Sequence, residues 1–401
     1  MARNHAQFRR SLTRLALVAG AATLAFSAGE ALAQRKSASA FVPGSGKLID
    51  YVSDDFEDES WTFIHNHPKS SREQDQAVRY PRGESSNGRW VEGPERGQPD
   101  QVELIPTPRG GLAGSRQALL LRTLNSGVPG YNSNDVQQDD LVANVIPRLG
   151  TGIPVGERPS FTLRVYLPPY EQWENRSAPH FGIRASTSTN VPEKKGGFFS
   201  TPTTTNEPYW PGMWIHHRTG GTKTVNGKKQ DASPSAYIAI RANSRGQDYR
   251  AMDINQLGWW TFGMSFSPDG MVHYYARPGV EDLTAADHIA SETPYSYAAK
   301  SFRTYFVNVC NHNNGRSWST PFVIDDPKVY VVNSQRVENI VARKVQMDER
   351  RAASQAEAAR RRAEAQAKSE ERRLQQQTQQ QSQRTSGQQP GRTASRQRSS
   401  R

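Results

Sequence analysis

The stretch GWWTFGMSFSPDGMVHYYARPG, Gly258–Gly279, decides how the rest of the chain is read. Its aromatic and aliphatic residues alternate with others on both sides of Ser267-Pro268-Asp269-Gly270. Successive side chains of a strand point to opposite faces. Trp260, Phe262, Met264 and Phe266 therefore share one side, and Trp259, Thr261 and Ser265 the other. Proline presets φ at the second turn position, and Gly270 can take the left-handed conformation that closes a bulged hairpin. On the return run Val272, Tyr274 and Ala276 face one way, and His273, Tyr275 and Arg277 the other. Burial of Trp260, Phe262 and Phe266 contributes roughly 2–3 kcal/mol each, which accounts for the inward row. It does not account for Trp259, His273 and Tyr275.

The same alternation recurs in ALLLR (118–122), FTLRVYL (161–167), AYIAIR (236–241), TYFVNVCN (304–311) and FVIDDPKVYVV (322–332). Gly, Pro, Ser, Thr and Asn fill the intervals, and no amphipathic helical segment stands out between Ile49 and Val332. Many short strands joined by turns point to an all-β fold, a two-sheet antiparallel sandwich over residues 49–333. Residues 334–381 favour helix through Ala, Glu, Arg, Lys and Gln. Beyond Met347 their only large apolar residue is Leu374, so the a and d seam of a coiled coil is missing and a solitary charged helix is expected. Residues 382–401, made of Ser, Gln, Gly and Arg, read as a disordered basic tail.

The chain has 401 residues and a formal charge of +12, but the charge sits at its ends. The first 33 residues hold four arginines against Glu30, and 338–401 hold 15 basic and 7 acidic side chains. The remaining 32 basic and 31 acidic residues nearly cancel, which gives no reason to expect a nucleic-acid groove on the body. The basic tail instead suits an anionic envelope polymer or lipid headgroups. Arg3 to Arg14, the apolar run Leu15–Ala28 and Ala31-Leu32-Ala33 together read as an export signal over 1–33, followed by a linker over 34–48. Arg9-Arg10 leaves both the general secretory and the twin-arginine routes open. Either route places the protein in the periplasm or outside a bacterial cell, and no further stretch is long enough to span a bilayer. Cys310, the only cysteine, can form no intrachain disulfide and reads as an inert, packed thiol.

DDFEDESW (Asp54–Trp61) resembles the opening strand of concanavalin A-like lectin/glucanase domains, including the laminin-G-like jelly rolls. FVIDDPKVYVV resembles their closing strand, and Gly258–Gly279 their aromatic hairpin. The resemblance implies jelly-roll topology and a concave sheet that commonly binds glycans and, in the enzyme branches, cleaves them. It also implies calcium in some relatives, for which Asp54, Asp55 and Asp58 are the candidates. The Glu-x-Asp-x-(x)-Glu strand of the family's retaining glycosidases is absent from the body, which speaks against a hydrolase of that type. Alginate-lyase-like members use an Arg strand, a Gln-x-His strand and a Tyr-rich strand. Phe181-Gly-Ile-Arg184, Trp214-Ile-His216 and Tyr274-Tyr275-Ala-Arg277 follow a comparable order, with Trp214 where Gln belongs. On that likeness Arg184 would neutralise a uronate carboxylate, and His216 or Tyr275 would remove the C5 proton.

The outward set expected from strand parity is Arg184, Trp214, His216, Tyr237, Arg241, Trp259, His273, Tyr275 and Asn308. Aromatic faces with a few Arg, Asn and His donors suit sugar rings and hydroxyls. The expectation is that these nine line one groove, with the loop Pro208–Trp214 as its rim. His216 and His217 alternate across a strand and cannot both chelate one zinc ion, even with His65 and His67 in the chain. Three functions remain open. One is an exported, non-catalytic glycan-binding protein, and another is a polysaccharide lyase or other glycan-cleaving enzyme on the same face. The third is a structural envelope protein tethered by its tail.

Overall fold

The computed structural model describes residues 40–124, 128, 136–193, 203–225 and 228–386. The expected export signal, most of the linker and residues 387–401 of the tail lie outside them. Nine strands build the core and the candidate site: β1 (Val136–Ala143), β2 (Pro159–Leu167), β3 (Ala178–Glu193), β4 (Gly212–Arg218), β5 (Ser235–Arg241), β6 (Gly258–Phe266), β7 (Val272–Pro278), β8 (Ser301–His312) and β9 (Phe322–Val331). They belong to two large antiparallel sheets. The first, of eight strands, runs His288–Glu292, β7, β6, β2, β9, Gln117–Arg122, Gln101–Pro106, with Lys47–Leu48 added beside β9. The second, of eleven, runs Tyr249–Ile254, β5, β4, β3, β8, β1, Trp90–Glu92, Glu84–Ser85, Phe63–Ile64, with Thr203–Tyr209 added beside β3 and Ile153–Pro154 beside β8.

The alternation read from the sequence sorts the side chains into this sandwich. Phe161, Leu163, Val165 and Leu167 from β2 and Trp260, Phe262, Met264 and Phe266 from β6 enter the main core. From the second sheet they meet Phe181 and Ile183 of β3, Met213 and Ile215 of β4, Ile238 and Ile240 of β5, and Tyr305, Val307 and Val309 of β8. The β6–β7 turn forms as its residues require. Gly270 N donates to Ser267 O (2.8 Å), Ser267 N to Met271 O (3.1 Å), and Gly270 has φ +83°. In β9 the pairing with β2 shifts between Asp325 and Lys328, so Pro327 falls in a bulge where no ladder donor is needed.

Three expectations need correction. DDFEDESW forms no strand. Phe56, at φ +58°, and Trp61 plug the core while Asp55 and Asp58 cap turns. The last linker residues, Lys47–Leu48, pair as a strand with β9. The C-terminal helix α1 (Gln335–Ser386) starts and ends slightly later than the composition suggests. No helix among the described residues is long and apolar enough to cross a membrane.

Candidate functional site

Strand parity survives in the structure, but the single groove does not. Arg184 (β3), Trp214 and His216 (β4), Tyr237 and Arg241 (β5) and Asn308 (β8) lie on the outer face of the second sheet. Trp259 (β6) and His273 and Tyr275 (β7) belong to the first sheet, on the far side of the core. These three are covered, as are Arg184, Trp214 (3% exposed) and Asn308 (fully buried) on the second sheet, where His216, Tyr237 and Arg241 are partly exposed. Trp259 is 5% exposed, donates from Nε1 to Pro108 O (3.1 Å) and packs with Ala118, Val323 and Tyr166 in a separate small cluster. His273 is fully buried between Ser267 and Ser291, and Tyr275 is buried edge-on to His288 (5.1 Å between centroids). The lyase-like set is thereby divided, with Tyr275 on one sheet and Arg184 and His216 on the other.

On the second sheet, register fixes how the six meet. Arg184 pairs with Gly212, and Gly212 with Arg241, so the two arginines flank a residue without a side chain. Strand spacing sets their Cα atoms roughly 10 Å apart. A Cβ on Gly212 would come within 2.4 Å of Arg184 Cγ, so the arginine stem leans over the glycine. In the neighbouring row Asp140, Asn308, Gly182, Trp214 and Ala239 pair in turn across β1, β8, β3, β4 and β5. Trp214 lies over Gly182, where a Cβ would meet its ring at 2.5 Å and Asn308 Oδ1 at 2.7 Å. A third row carries His216 stacked on Tyr237 (4.8 Å, 17°), with Arg218 and Arg250 over the tyrosine ring at 4.9 and 5.0 Å.

The charge on this face is unbalanced. Arg184 is 4% exposed, sits against the rings of Trp214 (5.4 Å) and Phe306 (5.2 Å), and donates from Nη2 to Trp210 O (3.2 Å). Among the described residues it has no carboxylate in ion-pair contact, and its Nε–H has no acceptor; the Nε–H of Arg241 also lacks one. Among the described residues Arg241 reaches only Asp248, at 3.7 Å. Burial, then the guanidiniums of Arg241 and Arg96, push the Arg184 group down to about 9, so it stays a cation at neutral pH. The charge of Asp140 favours the Arg184 cation, but it is shared. Asn308 Nδ2 donates to it and Arg96 lies 3.8 Å away, while burial raises its carboxyl to about 6. Asn308 Oδ1 is left without a partner. Burial, then Arg176 and Arg218, lower His216 to about 4, so its ring is neutral at pH 7. The exposed indole of Trp210 stands on the loop whose carbonyl holds Arg184, which is where the rim was expected.

Cys310, buried beside Trp214, has its thiol pushed up to about 12, chiefly by burial. The calcium candidates do not converge. Asp54 turns inward and accepts from Trp90 Nε1 (3.0 Å), Asn87 Nδ2 (3.0 Å) and Trp61 Nε1 (3.3 Å), while Asp55 and Asp58 cap Glu57 N and Ser60 N. Among the described residues no group of three or more His, Cys, Asp or Glu is placed to hold a metal ion. Sequence reasoning missed Asp140, Arg96, Phe306 and the two glycines. A glycine inside a strand is the signal that could have found the last two, since it often marks a close approach of another group.

No protein-family model and no curated protein sequence matches the chain. Among solved structures it is similar to an alginate lyase from Pseudomonas aeruginosa (9% identity, 58% of this chain and 87% of that chain, TM-score 0.30). It is also similar to a GH131 β-glucanase catalytic domain from Podospora anserina (12%, 57% and 78%, TM-score 0.31). A third is an endo-β-1,4-glucuronan lyase from Trichoderma reesei (12%, 67% and 94%, TM-score 0.30). Likeness this distant leaves substrate and reaction to be argued from the side chains.

Proposed function

We propose that the chain binds an acidic polysaccharide, without cleaving it, through the outer face of the second sheet. The observation that carries this reading is Arg184. Among the described residues it is a buried guanidinium with an unused N–H and no paired carboxylate, leaning across Gly212 toward Arg241. Burying a charge costs on the order of several kcal/mol unless a partner offsets it. A sugar carboxylate seated above Gly212 would be that partner, and would accept charge-assisted bonds from both sides. The adjoining rows add an exposed indole at Trp210 and the partly exposed His216–Tyr237 stack, surfaces on which sugar rings can lie.

The same geometry disfavours elimination. Arg184 is level with Gly212, and His216 lies four residues further along β4, roughly 13 Å of strand. Carboxylate neutralisation and proton removal must act on one sugar ring, and this pair is spaced for neighbouring sugars instead.

Calorimetric titration with a uronate tetrasaccharide and with its carboxyl-reduced, neutral counterpart tests the proposal. The intact protein is expected to prefer the acidic sugar. Arg241→Met is expected to lower that affinity at least about tenfold, or ~1.4 kcal/mol, and to leave the neutral sugar unaffected. Trp259→Ala, on the other sheet, is expected to change neither. Equal affinity for both sugars, or release of an unsaturated uronate that absorbs in the ultraviolet, would contradict the reading.

A further inference from the structure

Helix α1 is docked only by its first turns. Val337 is buried, Ile340 and Val341 pack on the core, and Tyr51 donates its hydroxyl to Asp348 (2.7 Å). From Glu349 to Gln380 every side chain is exposed. At about 100° per residue, Arg350, Arg351, Arg361, Arg362, Lys368 and Arg372 fall within an arc of about 120°, along roughly 33 Å of helix axis. Glu349, Glu357, Glu364, Glu370 and Glu371 fall in a separate arc of about 140°, shared with one basic residue, Arg360. The helix is thus basic on one side and acidic on the other. Of the opposite charges one turn apart on the helix, few close into ion pairs. Glu357–Arg361 (2.5 Å) forms, while Arg350, Arg351, Arg362, Lys368 and Arg372 have no carboxylate partner among the described residues.

We propose that this basic stripe is a rail for a linear anionic polysaccharide, extending the grip on a chain whose other segment lies on the second sheet. The inference rests on the proposed glycan reading. Leu374 is the only large apolar side chain beyond Met347, so the helix lacks the apolar face needed to bury itself in a lipid interface or to zip against a second copy. Residues 349–380 hold eight basic and five acidic side chains, a net positive surface that draws a polyanion. A single stripe backed by carboxylates suits one thin polyanion and opposes a wide duplex wrapped around it. Joining two weak contacts on one polymer raises overall affinity without any new contact.

The test uses the full chain and compares a long polyuronate with the uronate tetrasaccharide, which is too short to occupy both places. The intact protein is expected to bind the polymer at least about tenfold more tightly per site, with affinity falling steeply as salt rises. Replacing the six stripe residues by Gln preserves helix propensity, which circular dichroism would check. This variant is expected to lose the polymer's advantage and most of the salt dependence while keeping tetrasaccharide affinity. Replacing the five glutamates by Gln is expected to keep or strengthen polymer binding. Unchanged polymer affinity and salt dependence in the six-residue variant would overturn the proposal. So would tighter stripe-dependent binding of duplex DNA or of phosphatidylglycerol vesicles. A polymer that needs the stripe while the tetrasaccharide binds nowhere would uphold the rail and remove the sheet reading.

Discussion

At the scale of single residues, burial turns ordinary groups into sensitive ones. His180 is fully buried, with Nε2–H donating to Arg176 O (2.8 Å) and Nδ1 accepting from Thr320 Oγ1 (2.7 Å). Those partners satisfy the neutral ring. Burial, and then the charge of Arg176, push the imidazole down to about 3. An unfolded histidine titrates near ~6.5, so between there and about 3 the unfolded chain takes up a proton that the folded one refuses. Stability from this group is therefore lost as pH falls through that window. Asp139 and Asp325, each raised to about 7 mainly by burial, act in the opposite sense, because the folded chain holds their protons more tightly. They are common to any His180 variant and cancel in a comparison. His180→Gln, whatever its cost at neutral pH, is expected to gain about 2 kcal/mol on the wild type between pH 7 and pH 5. Urea unfolding at the two values measures this, and parallel stability curves would refute it.

At the scale of elements, the site depends on two glycines in the middle of strands. Gly182 in β3 leaves room for the Trp214 ring, and Gly212 in β4 leaves room for the stem of Arg184. Gly182→Ala would place a methyl group 2.5 Å from the Trp214 ring, inside a row already filled by Asn308. The indole has to move, at about 1–3 kcal/mol of stability. Because Arg184 rests against the same ring, acidic-sugar affinity is expected to fall together with the melting temperature. A variant that melts lower but binds as tightly would show that Trp214 does not position Arg184. Local alternation made the strands themselves legible. FTLRVYL and Gly258–Gly279 place their inward rows in the core as their periods require. DDFEDESW was not legible, because its carboxylates are consumed by turn capping and by the indoles of Trp61 and Trp90, a use that spacing alone does not reveal.

At the scale of the whole molecule, parity tells a side chain's face but not its sheet. Trp259 and Trp214 both point outward, yet β6 pairs with β2 and β7 while β4 pairs with β3 and β5, so they end on opposite surfaces. The β6–β2 pairing joins segments far apart in sequence. So does the loop that covers Trp259 through Pro108, 151 residues away. Six of the nine expected residues consequently share a face, and three serve to pack the other sheet. The central claim concerns which surface meets the sugar, and hydrogen exchange with a bound acidic oligosaccharide reads that surface directly. Protection is expected in Gly212–Arg218, Ser235–Arg241 and the loop at Trp210, with none added in Gly258–Phe266 or Val272–Pro278. Protection confined to those last two strands would contradict the account.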